Sequence, residues 1–168
     1  MSYVVFVGGP IQHAVTKGSF HAPTRGLIEQ LLLDLEARGL KTLSAHRVEA
    51  YGEVDMSTEW NAVSRRDIAW MRMADAFVAV LPNDPGGGPM RTDGTCVELG
   101  WASALDRPII LVRDSAAIHS HLIRGLAAVA RVQELEFDAV ARDVGLVHEA
   151  IETFRAAERS GAQAQAQA

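Results

Sequence analysis

The chain has 168 residues, with 48% hydrophobic and 22% charged residues and a formal charge of -5. That length buries a core without metals or disulfides, and the acidic balance leaves no electrostatic footprint for nucleic acid or an anionic membrane. The single cysteine, Cys96, excludes an internal disulfide, no apolar run approaches the ~20 residues of a bilayer span, and the start MSYVVFVGG lacks a basic leader, so a cytoplasmic location is expected.

YVVFVG (3–8) opens the chain as a continuous apolar run, the pattern of a strand covered on both faces. Gly8, Gly9 and Pro10 end it, and a polar loop runs to about residue 22. Pro23 and Thr24 start a helix with Leu27, Ile28, Leu31, Leu32 and Leu35 on its apolar side, closed by Gly39. KTLSAH (41–46) reads as the second strand. Ser57 and Thr58 offer caps for a helix over 59–74. AFVAVL (76–81) is the third strand, followed by the loose PNDPGGGPMRT and a helix from about 95 to 105. PIILVR (108–113) is the fourth strand, a helical stretch falls within 115–129, and VQELEF (132–137) is the last strand. A final helix is expected over about 138–158, with the low-complexity tail, 159–168, disordered.

Strands alternating with helices predict one α/β domain over 1–158, a Rossmann-like, flavodoxin-like five-stranded parallel sheet with helices on both faces. Ligands of such sheets bind beyond the carboxyl ends of the strands. Those ends are Gly8-Gly9, His46-Arg47, Pro82 to Thr95, and Arg113 onward.

Two acids stand near these ends. Thr95-Cys96-Val97-Glu98 fits a capping box, in which the glutamate serves the helix start. Gly94 and the glycines at 86–88 allow close backbone approach to a ligand, and a carboxylate in a first helical turn stays ionised more readily, as a nucleophile must. Asp67 shares a helical stripe with Val63, Trp70 and Met71, so it is either a buried, hydrogen-bonded aspartate or one with a task. Together the pair suits glycosyl transfer, which uses one nucleophile and one proton donor. Competing chemistry lacks its motifs. Neither G-x-G-x-x-G, G-K-[ST] nor G-x-S-x-G occurs, His119 and His121 have no partners at metal-ligand spacing, and Cys96 reads as a small buried apolar residue without an activating base.

The segments FVGGP, RRDIAWMRMADAFVAVLP and DGTCVELGWASALDRPIILV, in that order, resemble the nucleoside 2-deoxyribosyltransferase superfamily over about residues 3–137. Within it, AHRVEAYGE (45–53) and GTCVELGWAS look most like the cytidine 5′-monophosphate hydrolases, and LIRGL (122–126) is similar to the 2′-deoxynucleoside 5′-monophosphate N-hydrolases. The resemblance implies that Glu98 is the nucleophile and that Asp67 assists departure of the base. It implies sugar or phosphate contacts from Thr92 and Asp93, while Gly8, Gly9, His46, Arg47 and Gly94 are further substrate-binding candidates by their place at the strand ends. Ser120 falls on a serine that reaches the neighbouring subunit's phosphate, which implies a homodimer with shared sites.

Two positions depart from the common pattern. Phe6 stands where a tyrosine is usual, leaving room at the sugar's 2′ side and favouring a ribonucleotide. Gln12 replaces a phosphate-binding arginine, and glutamine cannot clamp phosphate bidentately; His13, Arg25, Arg47 or Arg124 is then the substitute. The resulting expectation is an N-glycosidase that needs no cofactor and hydrolyses a pyrimidine ribonucleoside 5′-monophosphate, CMP-like, to free base and ribose 5-phosphate. A base-exchanging deoxyribosyltransferase and a non-catalytic nucleotide-binding or sensing domain are the alternatives.

Overall fold

The computed structural model describes residues 2–16 and 18–166. Strand β1 (Val4–Gly8) is followed by a 3-10 turn over Gln12–Ala14 and a small hairpin of β2 (Val15–Thr16) and β3 (Ser19–Phe20). Helix α1 (Ala22–Ala37) comes next, then β4 (Lys41–Leu43), α2 (Ala45–Val48), α3 (Trp60–Met73) and β5 (Ala76–Leu81). Helix α4 (Asp93–Ala104), β6 (Ile109–Arg113), α5 (His121–Arg124), β7 (Val132–Glu136), α6 (Phe137–Arg142) and α7 (Gly145–Ala166) complete the chain. The main sheet has five strands in the order β4-β1-β5-β6-β7, every neighbouring pair parallel. In chain order this is the 2-1-3-4-5 flavodoxin-like arrangement, whose switch point lies between β1 and β5.

Alternation along β1 divides the core in two. Val5 and Val7 join Leu27, Leu31 and Leu35 of α1 and Val147 and Ile151 of α7 on one face. Phe6 joins Phe77, Met71 of α3 and Leu99 and Ala102 of α4 on the other. All six residues of β5 are buried, as a central strand covered on both faces requires. Helix α1 ends in a Schellman turn: Gly39 takes φ 81°, and the Leu40 N–H donates to the Leu35 carbonyl.

Local departures from the sequence reading have local causes. The second strand stops at Leu43, and residues 45–48 turn into α2, so His46 and Arg47 are helical. Ser57 does not cap α3; the N-cap position of that helix is Glu59, and the Ser57 N–H instead donates to Asp55 Oδ1. The stretch 115–129 carries only the single-turn α5 and a 3-10 turn over Leu126–Ala128. The last helix is two, broken at Asp143, whose carboxylate accepts from the Gly145 N–H. Residues 159–166, expected to be disordered, continue α7, because alanine and glutamine are good helix formers extending a helix already anchored by Val147, Ala150 and Ile151. Residues 167 and 168 of that tail lie outside the described residues.

Candidate active site

A cleft of about 150 Å³ opens at the carboxyl ends of β1 and β5, walled by α2, α3 and the start of α4. Its floor is Gly8 and Gly9. A β-carbon on Gly8 would sit 2.5 Å from Glu98 Oε2 and 3.0 Å from the Phe77 ring, so only glycine lets the Glu98 carboxylate come down onto the strand end. A β-carbon on Gly9 would stand 3.1 Å from the Val80 carbonyl and 3.4 Å from the His46 ring.

Glu98 is not a capping residue. Helix α4 begins at Asp93 with Thr92 as its N-cap, which makes Glu98 its sixth residue, one turn too deep to serve the first amides. Thr95, expected to cap, lies inside the first turn and accepts a 2.6 Å hydrogen bond from the Thr92 hydroxyl. Helical spacing then sends Thr95, Glu98, Leu99 and Ala102 inward and leaves Cys96 exposed, against the expectation of a buried thiol. The expected first-turn stabilisation of the anion fails for the same reason. Burial, and next the Asp67 carboxylate, hold Glu98's carboxyl well above its ordinary 4.5; Arg66 opposes this and Glu49 adds to it. Among the described residues no side-chain donor bonds to Glu98. It is a buried acid with no structural employment, aimed into a cleft.

Asp67 faces the same space from α3 and is only 7% exposed. Its carboxylate is gripped by its own neighbour: Arg66 Nε donates to Oδ1 at 2.7 Å and Nη2 to Oδ2 at 3.3 Å. Arg66 Nη2 also donates to Glu49 Oε1 at 2.7 Å, and the guanidinium lies 4.9 Å above the Trp70 ring. Glu49 and Arg66 were not singled out in the sequence. Nothing in the spacing 49, 66, 67 and 98 marks them, because only the fold brings the turn after α2 against α3.

His46 lies fully buried at the back of the cleft, its Nε2 3.3 Å from the Pro10 carbonyl and its Nδ1 3.4 Å from Ser44 Oγ. Burial holds its pKa down to about 4, so at neutral pH it presents an uncharged imidazole. Gln12 and His13 form one side of the mouth, and Arg91, Thr92, Asp93 and Gly94 the other. Arg91 and Asp93 are paired at 2.6 Å and exposed, at 68% and 66%.

Three expected site residues stand elsewhere. Arg47 points away and forms a two-pronged ion pair with Glu36 of α1. Phe6 lies one pleat below Gly8, fully buried between Trp70 and Phe77, and supports the floor rather than lining the cleft. Ser120 is outside the cleft as well; its hydroxyl caps α5 by accepting from the Ile123 N–H at 3.4 Å. Arg25, one candidate to replace the missing arginine, is engaged with Glu29 and lies 4.6 Å over the Tyr51 ring.

Fold and cleft together define a flavodoxin-like α/β protein with a buried carboxylate pair at its switch point. The chain belongs to the nucleoside 2-deoxyribosyltransferase family, whose model matches residues 16–155. Among solved structures, BlsM is similar at 26% identity over 92% of this chain and 94% of its own, with a TM-score of 0.65. The 2-deoxyribosyltransferase of Bacillus psychrosaccharolyticus shares the fold at 21% identity, 82% and 90% coverage and a TM-score of 0.55. The CMP N-glycosidase BcmB of Clostridium botulinum shares it at 23% identity, 79% and 88% coverage and a TM-score of 0.52. No curated protein matches the sequence. Among the described residues, no helix is long and apolar enough to cross a membrane.

Proposed function

We propose that the protein is a nucleotide N-glycosidase that hydrolyses a pyrimidine ribonucleoside 5′-monophosphate, CMP-like, to free base and ribose 5-phosphate. The observation that carries this reading is the Glu98 carboxyl seated against Gly8, bare of donors and facing Asp67 across one cleft. In the first step the Glu98 carboxylate forms a bond to the anomeric carbon as the C–N bond breaks. The electron pair leaves with the base, which takes a proton from Asp67. In the second step Asp67 accepts a proton from water, whose oxygen attacks the anomeric carbon and releases Glu98 as carboxylate. The pair needs one proton for this cycle, and the raised affinity of Glu98 for a proton is how the closed cleft stores it. On substrate binding that proton passes to Asp67, leaving Glu98 ionised beneath the developing oxocarbenium charge.

The phosphate is assigned to the mouth. Arg91, a guanidinium, and His13, an imidazole able to hydrogen-bond, line the cleft and flank the start of α4, whose first amides lack intrahelical partners. Among the described residues Arg91 is held only by the exposed Asp93, and exposed pairs of this kind exchange partners at little cost. A second copy of the chain is the expected partner, in a homodimer that shares its sites: Ile118 and Leu122, each two residues from Ser120, are 82% and 86% exposed, apolar side chains that such a contact would cover. Gln12 at the cleft supports one competing reading, a deoxyribosyltransferase acting on unphosphorylated nucleosides.

A panel of ribo- and deoxyribonucleosides and their monophosphates, with and without an acceptor base, separates these readings by chromatography of the free base. Release from CMP without acceptor is expected. Product only with acceptor assigns the transferase, and binding without turnover assigns a sensing domain.

A further inference from the structure

We propose that Glu49 is a positioning residue that, through Arg66, fixes the Asp67 carboxylate and sets the charge that faces Glu98. The inference rests on the proposed reaction for its kinetic consequence, although the network itself is independent of it. Glu49, Arg66 and Asp67 are linked by bonds of 2.7 Å on each side of the guanidinium, and their side chains are 10%, 17% and 10% exposed. A surface ion pair would be worth little, but here three charges share a site largely closed to water. Asp67 receives both of its oxygens' contacts from Arg66, so the angle at which it faces the cleft is set by where that guanidinium sits.

Arg66 has two other constraints. The Trp70 ring lies beneath it, and Glu49 holds the end of its fork. Glu49 in turn is the C-cap of α2, followed at once by a strained turn. Ala50, Tyr51 and Gly52 take φ of 43°, 53° and 82°, a run of left-handed backbone that disfavours its two non-glycine members. Tyr51 holds that turn by packing on Phe20 and His46. Such strain persists where surrounding packing over-determines it, and here its effect is to bring the Glu49 carboxylate to the cleft wall.

The charged groups that face Glu98 are Asp67 and Arg66 from α3 and Glu49 from this turn; β1 and β5 contribute Gly8 and Phe77, and α2 the uncharged His46. Removing the Glu49 charge takes one anion from beside Glu98 and frees Arg66 to swing toward it. Both changes weaken Glu98's hold on its proton.

The test uses Glu49→Gln, with Glu49→Asp as the conservative variant, and two readouts. Carboxyl titration of the ligand-free protein by carbon NMR is expected to move Glu98 to lower pH in Glu49→Gln, with Asp substantially restoring it. CMP turnover is expected to fall about tenfold in kcat with KM within about twofold, as misplacement of a reacting group does, and its alkaline limb to move to lower pH. An unmoved Glu98 titration in a folded Glu49→Gln protein overturns the proposal. So does a loss confined to KM. If the parent protein releases no base from CMP, the proposed reaction fails, and the NMR titration still decides the network.

Discussion

The carboxyl edge of the sheet holds two acidic cavities, and they differ in what their acids are doing. The cleft over β1 and β5 measures about 150 Å³, and the cavity over β5, β6 and β7 about 280 Å³. In the larger one, Asp114 accepts from Asn83 Nδ2 and from the Ala116 N–H, both at 2.8 Å, and Glu136 accepts from the Ser115 N–H at 3.1 Å; the Ser115 side chain first, and then this amide, lower its carboxyl's affinity for protons. These acids are satisfied by the turns they belong to. Glu98 has no such partner, and burial raises its affinity instead. The two cavities thus differ less in size than in whether their carboxyl groups are held by hydrogen-bond donors.

The contrast can be broken by substitution, the largest effect first. Glu98→Gln is expected to lower base release by on the order of 10³-fold or more, read in the CMP assay. The same variant is expected to be more stable than its parent at neutral pH. The sign follows from linkage: Glu98 holds its proton more tightly folded than unfolded, so its stabilising effect is complete below about pH 4.5 and is lost as pH rises through the folded value. A glutamine has no such loss, and a Tm higher by about 2–4 °C, the equivalent of ~1 kcal/mol in a chain this long, is the outcome to look for by calorimetry. Asp67→Asn, which keeps the shape and removes the proton relay, is expected to cost between about 10² and 10⁴-fold in kcat.

Gly8→Ala sharpens the geometry, since its methyl meets Glu98 Oε2 and the Phe77 ring; a loss of about 10²-fold in kcat is expected, with the circular dichroism spectrum retained. Arg91→Gln is expected to raise KM for CMP roughly tenfold and leave kcat near the parent's, the mark of a binding contact. Asp114→Asn in the other cavity is expected to change CMP turnover by less than about twofold. A large loss there would erase the distinction between the two regions.

The sheet was legible because its strands are continuous apolar runs bounded by glycine and proline, and AFVAVL can hardly be anything but a central strand. Asp67 was legible as a candidate because a charge on an inward helical stripe is conspicuous, and Glu98 because it follows a glycine-rich strand end at the start of a helix. Their setting was not. The start of α4 moved from Thr95 to Thr92, which places Glu98 beyond the first turn, and burial with the Asp67 carboxylate then raises its affinity for a proton. Arg47 was drawn out of the site by Glu36, eleven residues away in sequence but adjacent once α1 packs beside β4. Glu49 and Arg66 became visible only when the left-handed turn at 50–52 was seen to carry one to the other. Pattern reveals which side chains face inward, but not which of them meet.

The central claim is that Glu98 attacks the anomeric carbon. Its most direct test is mass spectrometry of the protein after incubation with 2′-fluoro-arabino-CMP, whose fluorine slows departure from a glycosyl-enzyme. The expected result is a sugar-phosphate adduct mapped by proteolysis to Glu98 and absent from Glu98→Gln. Base release from that analogue with an adduct on another residue, or with inversion at the anomeric carbon and no adduct at all, would contradict it.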